Sequence, residues 1–76
     1  MTETTLTLRG EHITLDALLK ATGWAGSGGA AKPHITAGEV RVDGNVETRR
    51  GAKLRAGQRV VMAGQAVRLL PAGATT

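Results

Sequence analysis

Residues 49–59 hold five cations, Arg49, Arg50, Lys53, Arg55 and Arg59, and no acid. Arginine presents a planar fork of donors that meets a phosphate at two points, and lysine adds a compact charge. The chemistry of such a cluster is anion binding, with a phosphate backbone as its natural counterpart. A second anion-binding pattern lies upstream in Ser27-Gly28-Gly29-Ala30-Ala31-Lys32. If a helix starts there, its first backbone donors lack intrahelical partners, and the glycines let an anion's oxygens come close. Lys32 then adds a charge further along the same helix. The spacing is not the Gly-x-x-x-x-Gly-Lys-Ser/Thr of a nucleotide-binding loop. Both patterns also have plainer readings: a helix cap after a loop, and a solvated loop at a sheet's rim.

Other chemistries find no support in these residue types. The chain has no cysteine, and His12 and His34 lie far apart, so no zinc-ligand set can be drawn. Ser27 has no base beside it, and no paired-carboxylate or Ser/His/Asp constellation is visible. The expectation is a protein without catalytic activity, metal or cofactor. Trp24 is the only aromatic residue. Between two short helices it is expected in the core. Proteins that read splayed bases stack them on several aromatic platforms. With neither Phe nor Tyr, this chain is suited to the shape and backbone of a folded nucleic acid.

The 76 residues carry a formal charge of +4 and a pI near 10.8. Such a balance favours phosphate backbones through counterion release. The charge is uneven, since residues 1–19 hold Arg9 against Glu3, Glu11 and Asp16. An anionic membrane is the rival surface, but a helix with bulky apolar and basic faces is missing. No apolar run approaches the roughly 18–20 residues of a membrane span. Met1-Thr2-Glu3-Thr4 lacks the basic start of a signal peptide. These features, with the absence of cysteine, lead us to expect a cytoplasmic protein. The length suits one small domain, which buries roughly 60% of the surface its unfolded chain exposes.

The elements that must position these cations are short. Thr5-Leu6-Thr7-Leu8-Arg9 alternates as a strand does, and Gly10 breaks it. Residues 14–23 predict a helix of about two turns. Thr14 stands at its cap, Asp16 in its first turn, and Leu15, Leu18 and Leu19 on one face. Gly23 provides the stop. A second helix starts from Ser27 and ends at Gly38, with Ala30, Ala31 and Ile35 as apolar anchors. Pro33 predicts a later start or a kink in it. Glu39-Val40-Arg41-Val42 and Val46-Glu47-Thr48 form a hairpin about Asp43-Gly44-Asn45. Arg49 to Lys53 makes a basic connection, Leu54 returns to the core, and Ala56-Gly57 turns. Val60-Val61-Met62 and Val67-Arg68-Leu69-Leu70 form a second hairpin about Ala63-Gly64-Gln65. Residues 1–70 make one domain, and residues 71–76 read as a flexible tail.

The order Leu15-Asp16, Leu18-Leu19, Gly23-Trp24, Ser27-Gly28, Ala31-Lys32 and Gly38-Glu39-Val40-Arg41-Val42-Asp43-Gly44, then Val46-Glu47-Thr48-Arg49, resembles the RNA-binding domain of ribosomal small-subunit protein four. That domain is also called the αL motif. Within the family the chain is most similar to stand-alone YbcJ-like bacterial proteins. The resemblance spans roughly residues 4–70 and is most specific from Gly38 to Arg49. It implies an α+β fold: two short helices packed on a small, mostly antiparallel sheet with two β-hairpins. It also implies RNA along a basic face. Carried over residue by residue, it points to Ser27, Gly28, Lys32, Arg41, Arg49 and Arg50. Gly29 belongs to the same helix start, and charge clustering adds Lys53 and Arg55. The chain departs from the family at two cations. Thr14 stands before Leu15-Asp16 where relatives carry Arg, and Gly28 follows Ser27 where they often have Arg. Either Lys32 and the 49–55 cluster replace those charges, or RNA lies differently here.

The function expected on these grounds is a non-catalytic module gripping the backbone of structured RNA, ribosomal or transfer. The alternative is a protein-interaction module tied to ribosomal or RNA-modifying machinery. It would use an exposed edge strand at Val67-Arg68-Leu69-Leu70.

Overall fold

Val60, Met62, Val67 and Leu69, buried at alternate positions of two adjacent strands, build the centre of the molecule. The computed structural model describes residues 2–26 and 28–73. Among these, the elements run β1 (Thr2–Thr7), β2 (Ile13–Thr14), α1 (Leu15–Ala21), α2 (Gly28–Thr36), β3 (Val40–Val42), β4 (Asn45–Val46), β5 (Lys53–Leu54), β6 (Arg59–Met62) and β7 (Gln65–Leu70). Five strands form a sheet in the order β1-β7-β6-β3-β4. Its neighbours are antiparallel except β1 and β7, which run parallel from Thr2↔Gln65 to Thr7↔Leu70. β2 and β5 form a separate antiparallel pair.

Opposed residues in a sheet share a face. Val40 opposes Met62, Val60 opposes Val67, and Leu6 opposes Leu69, so this face carries the apolar set. It packs in one cluster with Leu15, Leu18, Leu19, Ala31 and Ile35 from the helices. Full burial of a Leu, Ile or Val is worth about 1.5–3 kcal/mol, set against the entropy of ordering the chain. Val42 and Trp24 pack on this cluster half-buried, at its margin. The α+β architecture therefore agrees with the expectation: helices cover one face of a mostly antiparallel sheet that holds two hairpins.

Several boundaries differ from the sequence expectation. The first strand covers residues 2–7 rather than 5–9, because pairing with β7 sets its limits. Leu8 still donates to the Leu70 carbonyl at 2.9 Å, and the chain then leaves the sheet at Arg9. Pro33 does not delay α2, which runs on through it. A proline at this point forfeits the bond to the Gly29 carbonyl, and Gly29 lies exposed at the start of the helix, where that carbonyl is open to solvent. Gly38, at φ +78°, stops α2. Its N–H reaches the Ile35 carbonyl at 3.1 Å and that of Glu39 reaches His34 at 3.1 Å, a Schellman cap. The expected cap at Ser27 lies outside the described residues, as do residues 74–76 of the expected tail.

Both hairpin turns are tighter than expected. Asp43 (φ 52°) and Gly44 (φ 86°) form a two-residue turn, and Asn45 already pairs with Val42. Ala63 (φ 52°) and Gly64 (φ 77°) repeat the arrangement, with Gln65 paired to Met62. Positive φ at both central residues matches the strand twist, which draws the third residue of each expected loop into the ladder. The second correction concerns the exposed edge. Val67–Leu70 lies inside the sheet, between β1 and β6, and Leu69 is buried. β1 occupies the position that would have made it an edge.

Candidate nucleic-acid interface

The basic segment is held at the start of α1. Leu15 N–H donates to the Ala52 carbonyl at 3.0 Å, and Asp16 N–H to the Arg50 carbonyl at 3.1 Å. Ala17 N–H is taken by Asp16 Oδ1 at 2.8 Å. The first three donors of this helix, unpaired by construction, are thus all satisfied within the chain. Thr14 has the extended N-cap backbone but makes no side-chain cap bond. Its hydroxyl instead hydrogen-bonds the Asp16 carboxylate and holds that group below the usual carboxylate range. The Ala17 N–H and the Arg50 charge add to this, and desolvation opposes it.

β5 completes the attachment. Lys53 opposes Thr14 and Leu54 opposes Ile13, with Leu54 buried in the core. Ala52 N–H closes the turn onto the Arg49 carbonyl at 3.2 Å. The backbone of residues 50–54 is therefore fixed at five points while the cationic side chains face water. The Arg49 side chain is 81% exposed and donates to Glu47 Oε1 at 3.4 Å. Arg50 and Lys53 are exposed too, and Arg49, Gly51, Ala52 and Lys53 line a shallow recess. Arg55 follows at once, its N–H donated to Gln58 Oε1 at 2.6 Å. The structure thus gathers Arg49, Arg50 and Lys53 on one pinned loop, with Arg55 just beyond.

The other expected residues sit elsewhere. Gly28, Gly29 and Lys32 lie on α2, which packs against α1; Gly29 and Lys32 are exposed. The first turn of α2 contains no acid. His34 Nδ1 lies 2.9 Å from Glu39 Oε1 near the other end of that helix. Arg41 opposes Val61 and Val46, on the sheet face away from the helices. Asp43 accepts the Arg59 backbone N–H at 3.0 Å. Glu47 pairs with Arg49.

Sequence reasoning missed the make-up of that outer face. Arg59 and Arg68 oppose one another there, an unfavourable like-charge pair. Glu3 relieves it from β1. Its carboxylate accepts the Arg59 Nε–H at 2.7 Å, and this bond, with the charges of Arg59 and Arg68, holds Glu3 below its ordinary range. Pairing residues from opposite ends of the chain left no local signal to read. Among the described residues no His/Cys/Asp/Glu group could hold a metal ion, and no helix is long and apolar enough to cross a membrane.

Two helices against one face of this sheet, with a basic loop tied to the start of the first, define a known class. The S4 domain family matches residues 6–70, and the chain belongs to it. Among individual proteins it is similar to YbcJ of Escherichia coli (strain K12) and of Shigella flexneri. Each is 49% identical over 59 residues, covering 78% of this chain and 84% of the relative. The solution structure of E. coli YbcJ, described as revealing an αL motif involved in RNA binding, matches with a TM-score of 0.65 and 44% identity. That match covers 92% of this chain and 87% of the other.

Proposed function

We propose that this protein is a non-catalytic RNA-binding module that grips the phosphate backbone of structured RNA, ribosomal or transfer RNA. Membership of the S4 domain family and similarity to a protein with an αL motif involved in RNA binding support the class. The observation that carries the mechanism is the pinned loop. Its carbonyls hold α1 while Arg49, Arg50 and Lys53 stand in water, so little backbone order is lost when phosphate arrives. Arg55 extends the row, and Ser27, Gly28, Gly29 and Lys32 provide a further phosphate contact. Arg41 contacts RNA that reaches round the first hairpin. The unit spans residues 1–70 and works in the cytoplasm, with 71–76 as a tail.

Titrating the full chain with a transfer RNA, a ribosomal RNA hairpin and an unpaired strand, across about 50–200 mM salt, tests this. If about five phosphates are engaged, log affinity falls with log salt at a slope of roughly −3.5 to −4.5. The structured RNAs bind tighter than the unpaired strand, since one tryptophan provides no stacking platform. A slope near zero refutes the electrostatic grip.

A further inference from the structure

Among the described residues β1 ends the sheet, with β7 on one side and no strand on the other. Leu8 N–H points to β7. Peptide groups alternate in direction along a strand, so Glu3, Thr5 and Thr7 direct theirs to the open edge. This six-residue edge contains neither Pro nor Lys, the usual means of blunting one. Beside Leu6, Thr7 and Leu8 it opens on a groove of about 610 Å³ against α1. Leu6, Leu8, Ile13, Ala17 and Ala21 give the groove apolar walls, and Arg9, His12 and Lys20 line it without any acid.

The geometry points to a peptide-binding site: an extended segment of a partner protein pairs its backbone with β1 and sets alternate apolar side chains into the groove, its acidic residues meeting Arg9 and Lys20. Strand addition draws affinity from main-chain bonds and specificity from pockets for alternate side chains, and this edge offers both. Nucleic acid fits less well, because it has no repeating main-chain amides to pair with the edge and no alternating apolar side chains for the walls. A second copy fits less well too. Its own β1 brings one large apolar residue, Leu6, and one acid, Glu3, which is already hydrogen-bonded to Arg59. The site is remote in sequence from the basic loop and does not depend on the RNA reading.

The test uses the full chain and two labelled peptides, each with a core alternating valine and threonine, flanked by glutamates in one and by lysines in the other. Anisotropy reports affinity, and amide NMR shifts report location. The glutamate peptide is expected to bind at least about tenfold tighter than the lysine peptide. It shifts the amides of Thr5, Thr7, Ala17 and Ala21 and leaves those of Arg50 and Lys53 in place. Arg9→Glu/Lys20→Glu, at two exposed positions, weakens it by about tenfold with the amide spectrum otherwise retained. N-methylation of alternate peptide amides abolishes binding. Equal affinity for both peptides, shifts confined to residues 49–53, or undiminished binding by Arg9→Glu/Lys20→Glu overturns the site. So does displacement of these same amides by structured RNA, or by raised protein concentration alone.

Discussion

The two helix N-termini carry similar sequence signals, a hydroxyl residue before a short apolar helix, yet their first turns are built differently. α1 closes its first turn on the chain itself, through the Arg50 and Ala52 carbonyls and the Asp16 carboxylate. α2 has no acid in its first turn, begins with two glycines and carries Lys32 in its next. The positive end of a helix dipole attracts whatever negative group is at hand. At α1 that group is a loop backbone, so the dipole orders cations rather than binding an anion. At α2 the first turn brings no acid of its own to that field. Under the proposed function, α1 serves phosphate binding without touching phosphate.

This contrast can be broken at either helix, and the largest effect should come from cutting the loop off α1. Leu54→Ala removes the buried anchor beside Lys53 and should cost about 2–4 kcal/mol. In a domain of a few kcal/mol that brings the urea midpoint close to zero denaturant. Gly29→Asp makes α2 resemble α1. Its carboxylate should stabilise the helix by about 0.5–1 kcal/mol and lower RNA affinity roughly five- to tenfold, measured by thermal unfolding and anisotropy. Unchanged affinity would exclude α2 as a phosphate seat. The smallest effect concerns Asp16. Its folded pKa is lowered, so its stabilisation is complete above the unfolded value of about 3.9 and fades as pH falls through the lower folded one. Asp16→Asn should lower stability at neutral pH by about 0.5–1 kcal/mol and flatten the loss of Tm below about pH 4.

Local elements were legible where side-chain chemistry decides them. Leu15, Leu18 and Leu19 announced the buried face of α1, and Gly23 and Gly38 do stand at positive φ where the helices stop. The Asp-Gly turn was readable for the same reason. Three features were not. The parallel pairing of β1 with β7 joins opposite ends of the chain, so nothing near Val67 marks it as internal. β2 and β5 have two residues each, too few for any period to appear. The capping of α1 uses carbonyl oxygens, which every residue possesses. For the candidate site, the cations at 49, 50 and 53 were evident from composition alone. Their fixing at a helix start was not, nor was the placing of Arg41 on the outer face, which depends on the register of β3.

The central claim is that RNA is gripped by cations on a loop pinned to α1. The most direct measurement compares structured-RNA affinity of the wild type and Arg49→Glu/Arg50→Glu across a salt series, with matching amide spectra as proof of folding. The account predicts a loss of about a hundredfold near 0.1 M salt and a slope shallower by about two. Equal affinity and equal slopes in the two proteins would contradict it.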